Sequence, residues 1–222
     1  MHRPRPTPAP CRAPFHIQAF GLNTRMKRTN PATYRQLGQF SLVEVAVVAG
    51  LLILAVVFGV PAVNGFLIEM RVPYAAGELQ RFMARTRVLG ESDTVTPYAN
   101  INTVSNLVPS LQGSSVFRVS ATTVAHRLGG SGVGSNGTIT LAPAALGGGA
   151  MGSAFSITLT NVNAKACPTL ASTLNSVAET ISVNGSAAKT LGSNNEVGAY
   201  DPSTAQGLCE KGDSNTFVFA TR

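Results

Sequence analysis

Residues 40–68, FSLVEVAVVAGLLILAVVFGVPAVNGFLI, form a nearly unbroken apolar run that constrains this chain more than any other stretch. No side chain from Val45 to Ile68 carries a charge. Those 24 residues rise about 36 Å as an α-helix, enough to cross the hydrocarbon core of a bilayer. In hydrocarbon the backbone has no partner but itself, so the run is helical while it sits in lipid. Glu44, near its start, is the exception. A carboxylate inside such a helix costs about 2.5–3.5 kcal/mol and requires a reason.

The net charge of +7 and pI of 9.8 describe a tail rather than a body. Residues 1–38 hold seven basic side chains (Arg3, Arg5, Arg12, Arg25, Lys27, Arg28 and Arg35) and no acid, while the rest holds ten of each sign. A nucleic-acid-binding domain would carry its excess on the folded part, so no nucleic-acid partner is read here. Basic residues ahead of an apolar helix keep the N-terminus cytoplasmic, which sends everything after Ile68 across the membrane. In a bacterium that compartment is oxidising. Cys11 lies in the tail, whereas Cys167 and Cys209 are both exported: an even pair that is either two buried thiols or a disulfide.

Residues 1–25 are rich in Pro and Arg without any period, and Met1 and Met26 are both candidate starts. The apolar run is too long for an ordinary secretory signal, and its small residue, Gly38, stands on the cytoplasmic side. The arrangement GQFSLVEVAVVAG after a basic leader resembles the N-terminus of type IV pilin precursors. In that family a prepilin peptidase cuts after the Gly and methylates the new amine. The resemblance implies cleavage at Gly38–Gln39, which puts Glu44 sixth in the mature chain, or at Gln39–Phe40, which puts it fifth as the family usually has it. Pro61 lies 21 residues beyond Phe40, where many pilins carry a helix-kinking proline.

Beyond the run, Val72, Ala76, Leu79, Phe82, Met83 and Leu89 alternate with Glu69, Arg71, Glu78, Gln80, Arg81, Arg85 and Arg87 at helical spacing. This predicts that the helix continues as an amphipathic half able to lie on a sheet. Gly59, Pro61, Gly65, Pro73 and Gly77 predict bends or a melted stretch, and Gly90 is a stop signal. Residues 91–111 read as loop and short elements. Strands are predicted over 115–121, 138–142, 155–161, 180–184 and 216–221, with a tight turn at Asn184-Gly185 and a helix after Cys167 through Leu170, Leu174 and Val177. The class is therefore α+β: a long N-terminal helix packed on a mostly antiparallel sheet.

The C-terminal order FSITLTNV, AC with a short helix, ISVNG, LC and NTFVFATR looks like the type IVb pilins. There two cysteines staple the C-terminal region to the sheet, which implies a Cys167–Cys209 bond here. The two resemblances cover residues 38–68 and 155–222.

They imply a structural pilus subunit, not an enzyme, with no cofactor. Residues 1–38 would be the leader that is removed, 39–68 the transmembrane and fibre-core helix, and 69–222 the periplasmic and then surface domain. Partners would be copies of itself, the prepilin peptidase, the pilus assembly platform and, before assembly, inner-membrane lipid. Glu44 would pair with the N-terminal amine of a neighbour and so set the axial stagger. As an ordinary membrane-helix residue it would instead be an interfacial acid.

Other signals are weak. Gly132–Gly137 matches GxGxxG but precedes a strand-like TITL rather than a helix, so it reads as an exposed flexible loop. His126 has no acid nearby in sequence, and Asp201, Glu210 and Asp213 lack the ligand density of a calcium site. Asn136 and Asn184 head sequons by pattern only. The alternatives are a minor pilin, a type II secretion pseudopilin, and a single-pass periplasmic enzyme or binding protein that keeps its leader. Major or minor status and the role of the fibre in adhesion, conjugation or motility are not encoded legibly.

Overall fold

The computed structural model describes residues 41–91 and 94–222. Gly38, Gln39 and Phe40 lie outside the described residues, as do Cys11 and Met26. The chain divides into a unit ending at Ala46 and a unit from Val47 to Arg222. Of the first, the described part is the start of helix α1, Leu42–Leu89. Ser41 opens it: its hydroxyl accepts from Val43 N at 3.3 Å and its carbonyl from Val45 N at 3.1 Å, as an N-cap residue does.

Helix α1 runs through Pro61 and Pro73 without the melted stretch expected from its prolines and glycines. Each proline removes one i→i−4 donor, but only one, and the residues on either side keep the helical path. Its second half buries Val72, Ala75, Ala76, Leu79, Phe82 and Met83, a stripe at helical spacing, against the domain core. Leu89, expected in that stripe, is 83% exposed because the helix ends there, with Gly90 N bonded back to Thr86 O at 3.1 Å.

After α1 come a π-helical turn at Thr103–Leu107 and a short helix α2, Val108–Leu111. The sheet strands are β1 Arg118–Val119, β2 Val124–Ala125, β3 Thr138–Ala144, β4 Ala154–Asn163, β5 Thr180–Val183, β6 Ser186–Lys189 and β7 Asp213–Thr221. Two further helices, α3 Cys167–Leu174 and α4 Pro202–Gly207, lie between them. All strand pairs are antiparallel, in the order β1-β2-β3-β4-β7-β5-β6.

The last strand thus inserts at the centre. Phe217 and Phe219 pair with Leu159 and Ile157 on one side and with Val183 and Ile181 on the other. The two phenylalanines stack with centroids 5.6 Å apart on the core face, two residues along the strand. Asn184 and Gly185 both take positive φ (53° and 80°), the two-residue turn that matches strand twist.

Strand β1 is much shorter than the 115–121 run predicted for it, and β2 and β6 were not predicted at all. Two residues are too few to display a period of two.

Candidate assembly interface

The first half of α1 is greasy on every side. Leu51, Leu52, Ile53 and Leu54 occupy consecutive positions, about 100° apart around the axis, and are each 53–63% exposed. Val45, Val48, Val56, Phe58, Val63 and Phe66 are exposed too. The most apolar 18-residue window of the helix has a mean hydropathy of 2.7, and none of it is buried. Each such side chain gains about 1.5–3 kcal/mol on leaving water. The segment therefore demands lipid or other helices around it.

Glu44 lies in the first turn of α1 and is exposed. It stands three residues after the capping Ser41, where the partial positive charge of a helix N-terminus favours a carboxylate. That placement tempers the cost of the acid but leaves its charge without a counterion. Pro61 lies within the helical span of α1.

Cys167 and Cys209 are bonded, with Cα atoms 6.0 Å apart and 42 residues of sequence separation. The bond ties the start of α3 to the turn after α4. Two asparagines hold that turn to the sheet: Asn215, which the sequence reading passed over, and Asn184, which it read only as a turn residue and a sequon. Buried Asn215 donates to Val162 O (3.0 Å) and Glu210 O (2.9 Å), and accepts from Glu210 N (2.7 Å). Asn184 donates to Leu208 O (2.9 Å) and accepts from Thr216 N (2.8 Å). Its amide is thus committed inside the fold, which disqualifies it as a sequon. The only sequence signal was an Asn in a β-like run, where a polar amide is unfavoured unless bonded.

The Gly132–Gly137 loop is largely exposed, as the sequence reading expects, and hydrogen bonds fix its path. Gly130 N donates to Asp213 Oδ2 (3.0 Å), Ser131 N to Asn136 Oδ1 (2.8 Å) and Gly132 N to Asn136 O (2.7 Å). A side chain at Gly129 would meet the backbone of β4 at 2.5 Å, so only glycine allows that approach. His126 is buried among backbone partners: its Nε2 lies 2.7 Å from Thr160 O and its Nδ1 accepts from Leu128 N at 3.0 Å. It is a core histidine. Asp201 caps α4, accepting from Ser203 N and Thr204 Oγ1, and the Thr204 bond first, then Ser203, holds its carboxyl below the usual range. Among the described residues no His, Cys, Asp and Glu side chains gather as a metal site.

A family model described as PilS N terminal matches residues 117–222, the sheet and its disulfide-tied end. The chain is similar to type IVb pilin from Salmonella typhi (17% identity over 66% of this chain and 94% of that one, TM-score 0.44). It is also similar to TcpA, a type IV pilin from Vibrio cholerae El Tor biotype (16% identity, 70% and 99% covered, TM-score 0.43). No curated protein matches the chain.

Proposed function

We propose that this chain is a type IV pilin of the IVb-like kind, a structural subunit made in the inner membrane, trimmed on its cytoplasmic side and polymerised through the first half of α1. The uncovered apolar segment carries this reading, since neither water nor its own domain satisfies it. In the membrane, lipid surrounds it. In a fibre, copies of the same helix replace the lipid, so little hydrophobic free energy changes and packing decides geometry. Reversible assembly follows from that near balance.

Cleavage at Gly38–Gln39 or Gln39–Phe40 by a prepilin peptidase creates a positive amine. The Glu44 carboxylate of a neighbouring subunit pairs with that amine. A buried charge without its partner costs several kcal/mol, so pairing selects one axial stagger. Pro61 gives α1 a place to bend on entering the bundle. Extraction from lipid needs an assembly platform, and the domain ends outside the cell.

Mass spectrometry of the chain from sheared filaments and from membranes tests this. The expected result is a filament chain lacking residues 1–38 or 1–39 with a methylated N-terminus. A chain found only in membranes, singly and with its basic tail intact, overturns the reading.

A further inference from the structure

A cleft of about 550 Å³ lies beside the last turn of the apolar run. Leu67, Ile68 and Arg71 of α1 line it on one side, and Arg118 of β1 and Arg127, after β2, line it too. One turn earlier, the Lys165 side chain passes 3.6 Å from where a Cβ on Gly65 would stand. Cations from four separate segments therefore converge where the helix turns from apolar to polar.

Their arrangement is built rather than incidental. His126 and Leu128, on either side of Arg127, are buried and bonded to each other, and Arg127 is held at φ 59°. That left-handed conformation is unfavourable for a side chain of this size, and it leaves Arg127 exposed on the cleft. The one acid lining the cleft, Asp213, is already occupied: its carboxylate accepts from Asn163 Nδ2 at 2.5 Å and Gly130 N at 3.0 Å. Among the described residues the single ion pair is Arg222–Glu179, so the three arginines have no anionic partner.

We propose that this cleft binds the phosphate of an anionic phospholipid in the outer leaflet of the inner membrane while the subunit awaits assembly. The inference rests on residues 45–68 spanning the bilayer, which places Leu67 to Arg71 at headgroup level. Guanidinium forks bind phosphate oxygens in pairs, and Leu67 and Ile68 offer an apolar wall for the glycerol and upper acyl chain. The domain is thereby seated on the membrane surface, and extraction must break that contact.

The test reconstitutes the full chain in nanodiscs of phosphatidylcholine with phosphatidylglycerol and counts retained phosphatidylglycerol by native mass spectrometry. Retention should fall by about tenfold or more in R71Q/R118Q/R127Q, fall less in R71K/R118K/R127K, which keeps the charge but loses the paired donors, and persist in R81Q/R85Q/R87Q. Each variant is checked for its Cys167–Cys209 bond, so misfolding is recognised. Equal retention by the wild type and the glutamine triple, with all chains inserted, overturns the lipid site alone. An equal loss in R81Q/R85Q/R87Q does the same, since it reports general surface charge. Displacement of the lipid by excess inorganic phosphate assigns the cleft to the free anion, and arginine-dependent self-association without lipid assigns it to a second copy; either outcome overturns the proposal. Failure of every chain to enter nanodiscs removes the membrane-spanning reading along with it.

Discussion

The Asn184 amide donates to Asn215 Oδ1 at 3.0 Å, joining the β5–β6 turn to β7 across 31 residues of sequence. With its other three bonds, this saturates the buried Asn215 amide: two donors given, two lone pairs taken. Asn215→Ala leaves the Val162 and Glu210 carbonyls without their donor and is expected to destabilise the domain by about 2–4 kcal/mol. Asn215→Asp should be no better at neutral pH despite its shape, because a carboxylate would face both carbonyls. Protonation gives that variant one donor back, so its deficit should shrink as the pH is lowered. Urea unfolding of the full chain at two pH values checks both statements.

The disulfide acts on the same corner. Closing a loop of this length removes about 4 kcal/mol of chain entropy from the unfolded state, an upper figure for its stabilisation. Cys167→Ser/Cys209→Ser is expected to lower the urea midpoint accordingly. Because Asn184 and Asn215 also tie residues 208–210 to the sheet, the segment should stay docked. Hydrogen exchange should then show modest loosening there, with β4 and β7 protected; full exposure of 208–215 would mean that the asparagines contribute little.

What the sequence made legible follows physical range. The long helix shows itself through charge-free length and then through the Val72–Met83 stripe, both local properties. Strands β3, β4, β5 and β7 are long enough for Val, Ile and Phe to alternate, and Cys167 and Cys209 are the two cysteines that follow the apolar run. Strands β1 and β2 exist because β3 offers an edge, which no local pattern records. The Asn184–Asn215 bond and the convergence of Arg71, Arg118 and Arg127 join residues tens of positions apart. The hydrogen bonds that tie the glycine loop to Asp213 and Asn136 are likewise invisible in its composition.

His126 gives the domain an acid-sensitive site. Burial lowers its pKa below the ordinary 6.5, against smaller opposing effects from the Thr160 bond and Asp213. The neutral ring donates from Nε2 to Thr160 O and accepts at Nδ1, so protonation would turn that acceptor into a donor facing the Leu128 N–H. The sign follows: the unfolded chain takes up the proton first, so the contribution is complete above about pH 6.5 and is lost as the pH falls through the lower folded value. His126→Gln keeps a donor and an acceptor without titrating. It should flatten the stability curve between pH 7 and pH 5, measured by thermal unfolding, whereas an unchanged slope would place the acid sensitivity elsewhere.

Glu44 offers the sharpest test of how subunits find their register. In a lone chain its carboxylate gains only the helix N-terminus, an effect of about 0.3–1 kcal/mol. Glu44→Ala should therefore insert in the membrane, form the Cys167–Cys209 bond and lose its leader as the wild type does. In a fibre assembled as proposed above, the same change would strand the neighbour's new amine in an apolar bundle, at a cost of about 3–5 kcal/mol per subunit. Filament yield should fall by about tenfold or more, and Glu44→Gln should fall with it, since an amide keeps the size and a hydrogen-bonding oxygen but not the charge. Glu44→Asp, one methylene shorter, should recover part of the yield. Sheared-filament yield measured against total membrane-inserted chain separates these cases. Normal filaments from Glu44→Gln would show that hydrogen bonding, not charge, fixes the stagger.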